Sequence, residues 1–175
     1  MSDISILNVS VTKIDADAIV NAANSSLSMG GGVCGSVFLG AGVDKMSEAC
    51  NKIGHCDTGS AVITPGFNLP ARYVIHAVGP KWKDGESNEA ELLYNAYMNS
   101  LLLAKKYNLH SIGFPLISSG RFHYPLTEAW EIAIKACKDF ISSNLDYEIV
   151  NAIEKVYQVI LKLFTTFAIE KVYHL

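Results

Sequence analysis

The residue types that could do chemistry concentrate in two short stretches, around Ser28–Gly35 and Ser118–Tyr124. In the first, Gly30-Gly31-Gly32 precedes Val33-Cys34-Gly35, which opens a short helix. Consecutive glycines let backbone N–H groups approach an anion closely, and a helix N-terminus adds partial positive charge, so this spacing suits a phosphate. A tightly turned loop with no ligand would carry the same glycines. No Gly-Lys-Ser/Thr follows, which excludes a Walker loop, and the spacing is not Gly-x-Gly-x-x-Gly either. A thiol at a helix start, such as Cys34, is a candidate nucleophile, although a diphosphate at the same place would oppose thiolate formation. The simpler role for Cys34 is a small loop residue that contributes its main-chain N–H. Cys50, His55 and Cys56 offer at most three metal ligands without a fourth, in a segment, EACNKIGHCDTG, that reads as a helix end and a turn, so no metal site is expected.

The elements that must position these stretches are short β-rich runs alternating with segments of helical period, which predicts an α/β fold with a mostly parallel or mixed sheet covered on both faces. Strands are expected near Ile4–Val11, Ala18–Ala22, Ser60–Thr64, Tyr73–Val78, Ser111–Leu116 and Tyr147–Ala152. Within Glu89–Tyr107, Leu92, Leu93, Ala96, Tyr97, Leu101 and Ala104 recur at spacings of three and four and predict one buried stripe. A further helix begins at Pro125, with Ala129, Trp130, Ala133, Cys137 and Phe140 on its inner face, and a last one runs from about Glu154 towards Phe167.

The 175 residues are half hydrophobic and 18% charged, with mean hydropathy +0.23, which excludes disorder and fits one domain. Fourteen Lys and Arg against seventeen Asp and Glu give a net charge of −3, so the chain lacks the positive field that non-specific duplex binding requires. Four cysteines with no Cys-x-x-Cys pair read as reduced thiols. The N-terminus shows no secretory pattern, and Lys162, Glu170 and Lys171 interrupt the apolar stretch from Val156 to Leu175, so neither secretion nor a membrane span is expected. A cytoplasmic location follows as the expectation.

Written out, DAIVNAANSSLSMGGGVCGSVFLGAG resembles the signature of the macrodomain family, and specifically its MacroD-type branch. CDTGSAVITPGFNLPARYVIHAVGPKW, SIGFPLISSGRFHYP and the helix from Pro125 extend the resemblance over roughly Ile4 to Tyr157. It implies a three-layer α/β/α fold with a central mixed sheet, a single macrodomain over residues 1–175, and ADP-ribose as ligand. The diphosphate would lie between Gly31, Gly32, Val33, Cys34 and Gly35 on one side and Ser118, Ser119, Gly120, Arg121 and Phe122 on the other, held largely by main-chain N–H groups. Phe122 would stand beside the distal ribose. Asn24 matches the asparagine that hydrogen-bonds the ribose hydroxyls and is the expected catalytic residue; Asn21 is expected to tie the loop base. The implied ligands are ADP-ribose and its derivatives, with ADP-ribosylated proteins as a partner class, no membrane, and nucleic acid only as an ADP-ribosylated end. No cofactor is implied.

The sequence departs from the family at several carboxylates. Cys34 stands where an aspartate is common, ten residues after Asn24, and Ser10, in Val9-Ser10-Val11-Thr12, replaces the aspartate that usually meets the adenine amino group. Ser60 replaces a third aspartate, a structural change. Asn151 and Ala152 stand where many relatives stack an aromatic on adenine, and Tyr157 is the nearest aromatic that follows. His123 replaces a glycine of the second loop, and either it or Arg121 could be a surface residue or a partner for a phosphate or leaving group, with the surface preferred for His123. Two activities stay open: water attack on an ADP-ribosyl ester, from mono-ADP-ribosylated protein or O-acetyl-ADP-ribose, positioned by Asn24 and the loops; or a reader that binds without turnover.

Overall fold

Ala18–Ala22 and Tyr73–Ala77 are buried on both faces and mostly apolar, as strands covered from two sides must be. The computed structural model describes residues 3–144 and 148–152. Along the chain run β1 (Asp3–Leu7), a 3₁₀ turn (Val11–Lys13), β2 (Ala18–Ala22), α1 (Val33–Ala41), α2 (Val43–Ile53), β3 (Ala61–Pro65), β4 (Tyr73–Ala77), α3 (Glu89–Lys106), β5 (Ser111–Phe114), α4 (Leu126–Ser142) and β6 (Glu148–Ala152). The sheet order is β1-β6-β5-β2-β4-β3, parallel throughout except where β3 runs against β4.

Side chains along β2 alternate between two cores, as strand geometry requires. Ala18 and Val20 join the core under α3 and α4, whereas Ile19 joins the core under α1 and α2. This gives the three layers expected. The stripe of α3 is buried at Leu93, Ala96, Tyr97, Leu101 and Ala104, and Ala129, Trp130, Ala133, Cys137 and Phe140 of α4 are buried as well. Pro125 is the N-cap of α4, one residue before its first turn. The expected helix from Glu154, and Tyr157, lie outside the described residues.

The first expected strand is too long. β1 itself ends at Leu7, opposite Ala152, and Val11 enters the 3₁₀ turn closed by Lys13 N–H to Ser10 O at 3.0 Å. Of the two valines that carried the alternation on, Val11 is buried in the core under α1 and α2, whereas Val9 is exposed. The strand expected over Ser111–Leu116 stops at Phe114, before Pro115, which has no N–H to give the ladder.

Parallel order places the carboxyl ends of neighbouring strands side by side, where open α/β sheets bind ligands. β2 and β5 are such neighbours, with Ala18 opposite Ile112 and Ile19 opposite Gly113. The glycine stretch leaves the end of β2 and the Ser118 stretch leaves the end of β5, so two segments about a hundred residues apart meet over the sheet.

Candidate functional site: a two-loop cavity

The first loop is organised by its own side chains. Asn24 Oδ1 accepts from the Ser26 hydroxyl at 2.8 Å, from Ser28 N–H at 3.1 Å and from the Ser28 hydroxyl at 3.3 Å, while Nδ2 donates to Ser28 O at 2.8 Å. An amide nitrogen has two hydrogens, so one donor of Asn24 is left to face a ligand. Gly32 caps α1 with φ 61° and ψ −137°, a conformation close to glycine-only territory. The first helical bond runs from Ser36 N–H to Gly32 O, so the N–H groups of Val33, Cys34 and Gly35 precede it with no intrahelical partner. These are N–H groups that the sequence assigned to an anion.

Below this loop lies a buried polar chain. Asn21 Nδ2 sits 3.1 Å from His76 Nδ1 and 3.7 Å from Cys34 Sγ, and His76 Nε2 sits 2.9 Å from the Thr64 hydroxyl. The amide can only donate, so Nδ1 accepts and Nε2–H is directed at Thr64. Burial pushes the His76 imidazole down to about 4, keeping it neutral. Asn21 therefore ties the loop base as expected, joining β2, β4 and the start of α1. Cys34 itself is buried, and its sulfur accepts from Gly30 N–H at 3.3 Å.

The second loop is held more rigidly than its sequence suggests. The Tyr97 hydroxyl, fully buried on α3, donates to Pro115 O at 3.2 Å and accepts from Ile117 N–H at 2.9 Å. Trp82 N–H donates to Phe122 O at 2.8 Å, and Tyr124 N–H to Ser118 O at 3.0 Å. Ser118 and His123 adopt positive φ, 66° and 56°, at a cost of order 1–3 kcal/mol each that the surrounding bonds must offset. The Ser118 hydroxyl is buried against Gly79 without a hydrogen-bond partner among the described residues. Lys81 Nζ lies 5.6 Å from the Phe122 ring centre.

Between the loops is a cavity of about 560 Å³. Of the residues singled out from sequence, Asn24, Gly31, Gly32, Val33, Cys34, Ser118, Ser119, Gly120, Arg121 and Phe122 line it. Ser10 and Gly35 do not. The Ser10 hydroxyl is 3.0 Å from that of Thr12, and Val9 and Val11 on either side of it reach the cavity instead. Gly35 is buried where an added Cβ would lie 2.8 Å from Gly30 O, so it lets α1 pack close to the loop. The apolar lining residues Leu116, Ile117 and Leu126 carried no sequence signal. Among the described residues Arg121 is the one charged residue of the lining, and no carboxylate or histidine joins it there.

The cysteine and histidine cluster does not assemble. His55 pairs with Asp57 at 3.0 Å, whereas Cys50 lies 3.8 Å from His76, and burial pushes the Cys50 thiol up to about 11. Among the described residues no three His, Cys, Asp or Glu side chains gather around a common point, none of the four cysteines is in a disulfide, and no helix is long and apolar enough to cross a membrane.

The Macro domain family model matches residues 20–133. An O-acetyl-ADP-ribose deacetylase of Escherichia fergusonii is 52% identical over 147 residues, covering 82% of each chain. The Oceanobacillus iheyensis macrodomain solved with ADP superposes with a TM-score of 0.85 at 37% identity, over 92% of this chain and 90% of that one. The Trypanosoma brucei macrodomain in complex with ADP-ribose gives 0.81 at 34% identity, over 93% and 68%. Sheet order, two-loop cavity and sequence therefore agree: the chain belongs to the macro domain family.

Proposed function

We propose that this chain binds ADP-ribose in the two-loop cavity and hydrolyses an ester on its distal ribose, as in O-acetyl-ADP-ribose or a mono-ADP-ribosylated acceptor. The observation that carries the reading is the cavity of about 560 Å³ formed where the start of α1 faces the second loop across the ends of β2 and β5. Its relatives support it: the Escherichia fergusonii protein is named for the deacetylation, and macrodomain neighbours hold ADP and ADP-ribose. The domain is proposed to occupy residues 1–175, and the free thiols support action in a reducing compartment such as the cytoplasm.

The diphosphate would accept hydrogen bonds from Val33 and Cys34 N–H on one side and from the Ser118–Phe122 backbone on the other. Adenine would lie towards Val9 and Val11, with the Ser10 hydroxyl as the nearest polar side chain of that segment. Asn24 would turn its remaining N–H to a distal ribose hydroxyl, with Phe122 beside the sugar. Water then attacks the ester carbonyl carbon, the acyl C–O bond breaks, the ribose oxygen takes a proton and the acid departs. With neither carboxylate nor histidine in the lining, the chain's contribution is position and fixed dipoles, which can remove up to ~7–11 kcal/mol of barrier through effective molarity.

That same absence favours a second reading, binding without turnover. Single-turnover release of acetate from O-acetyl-ADP-ribose, beside a calorimetric titration with ADP-ribose, separates the two. Binding at 1:1 near 1 μM, about −8 kcal/mol, with release above buffer supports the hydrolase. Binding without release leaves the reader, and equal affinity for AMP and ADP-ribose rejects the pocket assignment.

A further inference from the structure

The chain has two arginines, and they are used differently. Arg72 is paired with Asp17 at 2.6 Å. Arg121 is exposed, makes no ion pair among the described residues, and projects from the second loop across to the first. A Cβ added at Gly31 would lie 2.5 Å from Arg121 Nη2, 2.7 Å from Cζ and 2.9 Å from Nε, so the flat guanidinium rests on the Gly31 backbone. The strap thus bridges both loops over the cavity, and among the described residues it is the only charge in the lining. A guanidinium carries its charge at every working pH and meets two phosphate oxygens at once through parallel N–H bonds, which the surrounding backbone donors cannot do from one residue.

We propose that the Arg121 side chain is a specificity-determining clamp that exchanges its rest on Gly31 for the ligand's diphosphate, selecting a diphosphate over a monophosphate and slowing release. This rests on the reading of the cavity as an ADP-ribose site. The exchange costs no buried ion pair, because Arg121 has none to break. Gly31 is required beneath the strap, since any larger residue would occupy the place where the guanidinium lies.

The test uses the full chain, with ADP-ribose, ADP and AMP titrated by calorimetry at low and high salt and ADP-ribose release followed by stopped flow. Arg121→Ala, an exposed change that the fold tolerates, should weaken ADP-ribose and ADP by about tenfold or more, mostly through faster release, and should flatten their salt dependence, while AMP barely moves. Arg121→Lys should restore the salt dependence but only part of the affinity. Gly31→Ala, which evicts the guanidinium, should combine with Arg121→Ala less than additively. Wild-type affinity and salt dependence in Arg121→Ala would overturn the clamp, and so would equal losses for AMP and ADP-ribose. A wild-type protein that binds none of the three overturns the ADP-ribose reading itself.

Discussion

Acidification should unload stability through His76 before any carboxylate titrates. The imidazole has no exposed surface and is held at about 4 by burial, against an ordinary 6.5 in the unfolded chain. The unfolded state therefore takes up the proton first as pH falls. The neutral, buried histidine contributes its full stability above 6.5, loses it progressively between 6.5 and 4, and changes little below that. Taking these two values, linkage gives a loss of about 1 kcal/mol by pH 5.5 and about 3 kcal/mol by pH 4. For a chain of this size that corresponds to a fall in Tm of roughly 6–12 °C at pH 4. Burial also raises Asp17 and Glu89, but hydrogen bonds outweigh it: His110 N–H and Arg72 hold Asp17 low, and the backbone N–H groups of Asp84, Gly85 and Ser87 hold Glu89 at about 2, so both act at lower pH. Urea unfolding at pH 7, 5.5 and 4 on wild type and His76→Gln measures the difference, with the variant losing the slope between 6.5 and 4. Identical slopes, or a His76 imidazole that titrates near 6.5 by NMR, would refute the assignment.

Four further outcomes follow from the site. Gly32→Val should raise the ADP-ribose Kd more than tenfold, about 1.4 kcal/mol or more, with the fold retained, because the strain at φ 61° is local and an added Cβ meets no protein atom within 4 Å; calorimetry and circular dichroism read the two effects. Tyr97→Phe removes the hydroxyl that pins Pro115 and Ile117, which should cost about 1–3 kcal/mol in denaturant unfolding and weaken ADP-ribose binding through a loosened second loop. Asn24→Ala should lower single-turnover release far more than affinity, although the loss of Oδ1 as an anchor for Ser26 and Ser28 makes some affinity loss part of the result. Cys34→Ser should leave turnover nearly unchanged, whereas Cys34→Asp, placed beside Gly30 N–H, should raise release and weaken binding of the free dianion, both read on the same preparations.

Much of this fold is written in local pattern. Ala18–Ala22 and the stripe of α3 lie where their periods place them, because each period reflects faces buried in one element. The first strand failed for the complementary reason: the alternation runs on through Val9 and Val11 in the sequence, but Val9 is exposed and Val11 belongs to a 3₁₀ turn, so the period there reflects no shared buried face. The glycine loop was legible because its chemistry is contiguous. Asn24's engagement with Ser26 and Ser28 was legible in principle, since asparagine two to four residues before serines is a turn-forming pattern. His76 with Asn21, 55 residues apart, was not, nor was the reach of Arg121 to Gly31, because a long side chain's resting place depends on which loop the sheet sets opposite it.

Among the described residues the cavity is lined by one cation and by no carboxylate or histidine, so its pull on an anion comes from a guanidinium and backbone dipoles. Salt then acts on filling, and acid acts on folding through the neutral imidazole buried beneath the first loop. Ionic strength governs how firmly the receptor holds its ligand, and acidity governs whether the receptor persists.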